Sequence, residues 1–297
     1  MCPPGRSKCV TSSLETSSKI GTVPVRGAMP LTPSLERIGP ICRGVEDAAL
    51  ILEVITAHDP SSAASIDAGF SYDARRDLSQ VRVGYSPAWF ERSSFGDPSS
   101  GAPITAAEQG ALEALRQLGV RLIPLELPAC PYRTISENLF VESAAMFDEL
   151  MLSGQDAQLL PGSPWPGNWR RIRFLSAVDY LQIERLRRQL MQQMHELFEQ
   201  VDVVFGPTYG SFDLLVAMNL TGQPGVTLRA GVISAPARSM DVRKFFLPEN
   251  PAAPPHVGTR NVTFHGRVLG DGDMLAIARA LEARLQVQQQ KPPLAEL

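Results

Sequence analysis

The sequence predicts an α/β fold. Residues 81–85 and 120–125 have the apolar composition of short strands, and an amphipathic helix between them spans 105–118. Strand, helix and strand follow each other with short joints, which is typical of an α/β layer. The chain has 297 residues, of which 44% are hydrophobic and 20% charged. This length and composition allow one large domain, or two small ones, with an ordinary core.

The N-terminal part divides into a tail and the start of a domain. Residues 1–18 are polar, rich in Ser and Thr, and show no period, so they are predicted to be a disordered or divergent tail. A single domain is predicted over 19–297. Its first stretch contains Pro30, Pro33 and Pro40, which exclude a continuous helix. A helix is predicted to begin after Gly44, where apolar residues recur at helical spacing.

The middle of the chain alternates between helices and loops. Residues 57–80 are predicted to form a loop, and Thr105 with Glu108 forms a capping box for the helix over 105–118. An amphipathic helix is predicted over 135–152 and a proline-containing loop over 160–169. The longest helix is predicted over 176–199.

The C-terminal part contains the remaining strands. A strand is predicted over 202–205, followed by a tight loop at 219–224 and a strand at 225–228. Residues 235–258 are rich in proline and are predicted to form an irregular insertion. A strand over 262–265 then leads to a final helix over 271–286, whose start carries Asp271 and Asp273, as the helix dipole favours.

Charge and cysteine content exclude several classes of protein. The net charge is −3, which favours neither nucleic acid nor a membrane surface as partner. No apolar run approaches the length of a membrane span, and the first 13 residues lack the apolar centre of a signal peptide. A cytoplasmic location is therefore expected. The four cysteines are scattered, so reduced thiols are expected, and neither cysteine nor histidine spacing indicates a metal site or a cofactor.

Several short segments together resemble one enzyme family. The segment GAMPLTPSLERIGPICR, at 27–43, precedes Val45, Asp47 and an Ala-Ala pair. Further along follow VDVVFGPT at 201–208, NLTGQP at 219–224 and TFHGR at 263–267. In this order and spacing they resemble the C-terminal portion of amidase signature enzymes. The resemblance implies a mixed sheet flanked by helices and an ancestral activity of carboxylic amide hydrolysis.

The catalytic residues of that family have no counterpart in the pattern. The family uses a nucleophilic serine, a second serine in a cis peptide bond, a lysine base and a Gly/Ser-rich loop whose N–H groups stabilise the oxyanion. These 297 residues contain no Gly-Gly pair, and the lysines are Lys8, Lys19, Lys244 and Lys291. Lys19 corresponds to a non-catalytic lysine of the family, and all four are interpreted as solvated charges. The sequence therefore predicts no catalytic residue.

Two residues are carried over from the family as substrate-binding candidates. Arg187 matches an arginine that binds the substrate carboxylate in tRNA-dependent amidotransferases, a task that suits the planar guanidinium. The alternative is a solvated helix arginine. Asp271 matches an acidic position near the last helix of the family, and its alternative is an ordinary acid at a helix N-terminus.

Two hypotheses about function follow. In the first, the chain is a truncated or degenerate amidase that lacks the catalytic triad, with a small amide as its substrate if it is active. In the second, it is a non-catalytic interaction protein. An α/β domain without its first half exposes a sheet edge and apolar surface. The predicted partner is then a second copy or a complementing amidase fragment.

Overall fold

The computed structural model describes residues 14–17, 21–61, 65–91, 106–159, 163–235 and 256–287. Its strands are β1 (Leu14–Ser17), β2 (Ile41–Cys42), β3 (Arg82–Tyr85), β4 (Arg121–Pro124), β5 (Val203–Pro207), β6 (Gly225–Ala235) and β7 (His256–Gly266). Its α-helices are α1 (Val45–Ile55), α2 (Ala106–Arg116), α3 (Tyr132–Ile135), α4 (Asn138–Met146), α5 (Asp148–Leu152), α6 (Trp165–Ile172), α7 (Ala177–Gln200), α8 (Phe212–Thr221) and α9 (Asp271–Leu285). Short 3₁₀ helices lie at Pro87–Phe90 and Gln155–Gln158.

The described strands form one mixed sheet in the order β2-β1-β6-β7-β5-β3-β4. Strand β3 pairs in parallel with β4 and β5, whereas the pairs that involve β1, β2, β6 and β7 are antiparallel. Parallel neighbours need a crossover, and α2 and the helices from α3 to α7 supply it. The predicted α/β class with helices around a mixed sheet is confirmed.

The sheet lies between two layers of helices. A Cβ added at Gly206 would lie 3.1 Å from Leu214 of α8, and one added at Gly266 would lie 3.3 Å from Met274 of α9. Because Gly206 pairs with Thr263, and residues 263 and 266 face opposite sides of β7, the two helices cover opposite faces. Helices α1 and α2 pack with α9, and α7 packs with α8. The core lies on both faces, with Phe205 and Phe264 fully buried at its centre.

Three strands differ from the sequence prediction in extent. The predicted tail over 1–18 is wrong for residues 14–17, because these form β1 and pair with β6. Strands β6 and β7 are longer than predicted, since they pair with each other from Gly225–His265 to Ala235–His256. The predicted irregular insertion over 235–258 is therefore wrong at both ends, and its residues 236–255 lie outside the described residues.

The predicted loop over 219–224 is wrong in its first half. Asn219, Leu220 and Thr221 are the last residues of α8, which ends at Gly222 with φ +85°. A left-handed residue is a common helix end, and glycine adopts it without steric cost. The helix was missed because it is apolar around most of its circumference and so has no amphipathic period.

The predicted helix over 135–152 is interrupted. Its residues lie in α3, α4 and α5, and Phe147 leaves the helical conformation between α4 and α5. Its ring stacks on Trp169 at 5.0 Å, in a second apolar cluster. The predicted loop over 160–169 contains the start of α6, where Pro164 and Pro166 are compatible with the first turn. The longest helix is confirmed, with Ser176 as its N-cap.

A buried ion pair attaches α2 to the sheet. Arg260 of β7 and Glu108 of α2 approach to 4.0 Å, with side chains 8% and 6% exposed. Removing one partner of such a pair leaves the other charge buried without compensation. We expect Glu108→Ala to lower the free energy of unfolding by about 3–5 kcal/mol, measured by urea denaturation at pH 7.

The control is Glu113→Ala on the same helix, which removes an exposed pair with Arg116. It should change stability by less than about 1 kcal/mol. Equal effects of the two substitutions would contradict the role of the buried pair.

Candidate functional site

The two candidate residues lie towards the same end of the sheet but on opposite faces. At this end β6 begins and β7 ends, and the Gly266 N–H donates to the Pro224 carbonyl at 3.0 Å. Asp271 begins α9 directly beyond this point. Arg187, in the middle of α7, reaches the end of α8 through a hydrogen bond to Leu220. The structure therefore places the two side chains apart, and they do not line the same wall of a pocket.

Arg187 is engaged with protein groups. Its Nε donates to the Leu220 carbonyl at 2.8 Å, and its Nη1 and Nη2 donate to the hydroxyl and carbonyl of Ser34 at 2.8 and 3.1 Å. The side chain is 12% exposed and lies 3.6 Å from the Glu184 carboxylate. The alternative of a solvated helix arginine is wrong, because the guanidinium fastens α7 to α8 and to the loop that carries Ser34.

Ser34 connects this loop to a second helix. Its N–H donates to Glu142 Oε2 at 2.8 Å and its hydroxyl donates to Oε1 of the same carboxylate. Asn138, which is fully buried, donates to Glu142 Oε1 at 3.2 Å. Sequence reasoning missed the contact between Ser34 and Glu142, since the two residues are 108 positions apart, although Ser34 lies in the 27–43 segment.

Arg37 closes the C-terminal end of α8. Its guanidinium donates to the carbonyls of Met218, Asn219 and Gln223 at 2.9, 2.8 and 2.6 Å. The last carbonyls of a helix lack intrahelical partners and carry partial negative charge, so a cation is favoured there. Burial lowers the pKa of Arg37 to about 10, and it stays protonated at neutral pH.

His265 lies buried close to Arg37. Burial, and secondarily the positive charge of Arg37, lowers the pKa of His265 to about 3. A Cβ at Gly225 would lie 3.4 Å from Nδ1, so the glycine leaves room for the ring. Within the described residues Nδ1 has no hydrogen-bond partner. The imidazole is therefore neutral at physiological pH and a poor proton acceptor.

Asp271 borders a cleft on the other face. The cleft has a volume of about 180 Å³. It is lined by Thr22, Thr56, Ala68, Gly69, Phe70, Ser71, Arg267, Leu269, Gly270, Asp271, Gly272 and Asp273. Asp271 and Thr22 are buried, and Asp273 pairs with Arg76 and with Arg267. The lining is mainly polar, with charges of both signs, and it can hold a small polar group.

Gly272 sets the shape of this cleft. A Cβ at this position would lie 1.7 Å from the Ser71 carbonyl oxygen, so only glycine allows the loop to approach the start of α9. Leu269, beside the cleft, has φ +64°, an uncommon conformation for a residue with a side chain. The loop and the helix start are therefore closely fitted to each other.

Neither cysteine in the described part of the chain is an activated nucleophile. The thiols of Cys42 and Cys130 have their pKa raised, chiefly by burial, so neither is an activated thiolate. The predictions for Lys8, Lys19, Lys244 and Lys291 concern positions outside the described residues. In the described ranges no group of three or more His, Cys, Asp or Glu residues could hold a metal ion.

Comparison with known proteins decides the family. The sequence profile of the family described as Amidase matches residues 18–230, well over half of the chain. The chain belongs to the amidase signature family. This match includes the 27–43 segment, Arg187 and the NLTGQP segment, and it ends before Asp271.

Relatives of this amidase family member are longer than the chain. It is 27% identical over 213 residues to an amidase of Pseudomonas putida, a match that spans 68% of this chain and 42% of that protein. Among the glutamyl-tRNA(Gln) amidotransferase A subunits, that of Deinococcus radiodurans is 26% identical over 314 residues, spanning 92% of this chain and 60% of that protein. The chain thus spans roughly half the length of these relatives.

Solved structures agree on the fold. The structure of 6-aminohexanoate cyclic dimer hydrolase superposes with a TM-score of 0.69 at 16% identity, over 97% of this chain and 63% of that one. A bacterial aryl acylamidase of the amidase signature family gives a TM-score of 0.67 at 15% identity, over 95% of this chain and 61% of that one.

Among the helices that the structure describes, none combines the length and apolar character needed to cross a bilayer.

The contacts of Arg187 generate a stability prediction. Arg187→Met removes three charged hydrogen bonds and leaves the Ser34 and Leu220 carbonyls without a donor. We expect the free energy of unfolding to fall by about 2–4 kcal/mol, measured by urea denaturation. The exposed neighbour Arg188, changed to Met, is the control and should have little effect. A solvated Arg187 would instead give equal results for the two variants.

His265 generates a pH prediction. The folded-state pKa of about 3 lies below the ordinary value of 6.5, so below pH 6.5 the unfolded chain binds a proton that the native state does not. The free energy of unfolding therefore falls as the pH falls, and His265 accounts for a loss of about 2 kcal/mol between pH 7.5 and 5. We expect His265→Gln to remove this part of the pH dependence, measured by urea denaturation across that range. The control is His58→Gln at an exposed position, which should keep the pH dependence of the wild type. Identical pH slopes for wild type and His265→Gln would refute the assignment.

Proposed function

We propose that this chain is the substrate-side portion of an amidase signature hydrolase and that, as it stands, it does not hydrolyse amides. The ancestral reaction is hydrolysis of a carboxylic amide through an acyl-enzyme on serine. The observation that carries the proposal is the combination of a family match over residues 18–230 with a span of only 42–60% of the relatives' length. The absence of any Gly-Gly pair in the 297 residues supports it.

The residues around Asp271 are consistent with one wall of a substrate site. Asp271, Thr22 and Thr56 are among the residues that line a cleft of about 180 Å³. We assign to Asp271 a contact with a polar group of the substrate. A carboxylate there accepts hydrogen bonds from an amide or amine donor. None of these groups is a nucleophile paired with a base, so the wall can orient a substrate but supports no acyl transfer by itself.

Arg187 has a different role in this proposal. Three of its nitrogens are engaged with Ser34 and Leu220, and the side chain is largely buried. We assign it to positioning the loop around Ser34 rather than to binding a substrate carboxylate. The cytoplasmic location and the lack of a cofactor remain predictions from the sequence.

The experiment is an ammonia-release assay with the purified chain and a panel of small aliphatic and aromatic carboxamides. We expect no turnover above the buffer control, because the nucleophile, its base and the oxyanion donors must all be present for this chemistry. A circular dichroism spectrum of the same preparation is the control that the tested protein is folded. Turnover that a single serine substitution abolishes would overturn the proposal.

A further inference from the structure

The solvent-facing side of α7 carries charges of both signs in separate segments. Residues of a helix that recur every three or four positions share one face. On the exposed side of α7 this series is Leu181, Arg185, Arg188, Gln192, Glu196 and Glu199. We call these six residues the α7 outer face. Its basic residues lie in the middle of the helix and its acidic residues at the C-terminal end.

The acidic end of this face is unfavourable for α7 by itself. Glu199 lies in the last turn of the helix and Glu196 in the turn before it, where the helix dipole favours cations. The last turn contains no basic residue, and Glu196 accepts a hydrogen bond from the neutral side chain of Gln192 at 3.4 Å. Basic groups brought by another molecule would therefore stabilise the C-terminal end of α7.

The charges of the α7 outer face are arranged symmetrically about Gln192. Arg188 precedes Gln192 by four residues and Glu196 follows it by four. Arg185 precedes it by seven residues and Glu199 follows it by seven. Two such helices that pack antiparallel around a two-fold axis at Gln192 therefore place every arginine of the face opposite a glutamate. This is the requirement of an isologous interface, in which residue i contacts residue j and residue j contacts residue i.

We propose that the α7 outer face is the contact surface for a second copy of this chain, with the two α7 helices antiparallel. Arg188 of each copy pairs with Glu196 of the other, and Arg185 pairs with Glu199. Gln192 meets its own copy on the axis, and its amide can donate and accept at the same time. The arginines then also lie close to the C-terminal end of the other helix, where its dipole favours them. This inference does not depend on the proposed function.

An exposed leucine lies at each outer end of this contact. Leu181 is 60% exposed in the single chain and lies one turn before Arg185. The antiparallel arrangement brings it to the C-terminal end of the other helix, where it loses part of its exposure to water. Burial of apolar surface there adds to the attraction between the charges.

Other partners match only part of the α7 outer face. A nucleic acid or an acidic peptide pairs with the two arginines but is repelled by the two glutamates, and a basic peptide has the opposite difficulty. Two copies in a parallel arrangement bring like charges together. The antiparallel copy matches all four charges, so the occupant is a second copy of this chain.

The contact is expected to be weak and sensitive to salt. Helix α7 has 24 residues, and a single pair of helices about 36 Å long buries less than the ~1,600 Å² of a standard interface. Exposed ion pairs are screened by salt. We expect a reversible dimer at about 100 µM protein and about 50 mM NaCl, measured by analytical ultracentrifugation, and a Kd at least tenfold higher in about 500 mM NaCl.

Charge reversal tests the pairing directly. The double variant Arg185→Glu with Arg188→Glu makes the face acidic throughout, and Glu196→Arg with Glu199→Arg makes it basic throughout. We expect each variant alone to have a Kd at least tenfold higher than the wild type. An equimolar mixture of the two variants should form a heterodimer at least as tight as the wild-type dimer, because every opposed pair then combines opposite charges.

The control is the double variant Arg75→Glu with Arg121→Glu, which makes the same change in net charge at exposed positions outside α7. It should dimerise as the wild type does. A monomeric wild type at this concentration would overturn the proposal, as would a dimer that survives both charge reversals or a mixture that gives no heterodimer. Should a variant fail to fold by circular dichroism, a wild-type Kd that does not rise with NaCl overturns it. Amide turnover by the chain would refute the proposed function and leave the dimer intact.

Discussion

The arrangement at one end of the sheet depends on two arginines that satisfy the C-terminal carbonyls of α8. Arg37 and Arg187 reach this end from a proline-rich loop and from the longest helix, and between them they contact the carbonyls of residues 218, 219, 220 and 223. Buried carbonyls without donors cost free energy, and the helix dipole adds to the attraction for a cation. The loop, α7 and the start of β6 are joined by these contacts.

The contacts of Arg187 also show that the loop around Ser34 has a structural role. As a sequence it is a run of prolines and small residues with no regular structure. In the fold, the Glu142 carboxylate and the Arg187 guanidinium hold Ser34 from two sides. A partly buried carboxylate and a partly buried guanidinium each need partners, and Ser34, which can donate and accept, contacts both. The 27–43 segment, which resembles the amidase family, thus contributes contacts that hold the fold together.

The described residues combine a closely packed core with exposed apolar side chains on one outer helix. Phe205, Phe264 and their neighbours are packed on both faces of the sheet, and the cleft beside Asp271 is closely fitted at Gly272. Along the β2 edge, by contrast, the outer side of α1 carries exposed apolar side chains, Leu50, Ile51 and Val54.

Local patterns in the sequence determined the α/β class, the positions of α1, α2, α7 and α9, and the family, since hydrophobic period and short motifs act over a few residues. They failed at α8, whose uniformly apolar surface has no period, and at Phe147, where stacking on Trp169 overrides helix propensity. Asp271 was correctly placed at a helix start, but its cleft was not foreseeable. Only the tertiary structure decided that Arg187 is largely buried and bonded to protein groups rather than solvated. Its partners Ser34 and Leu220 lie 153 and 33 positions away, and no local pattern carries information about groups that folding alone brings together.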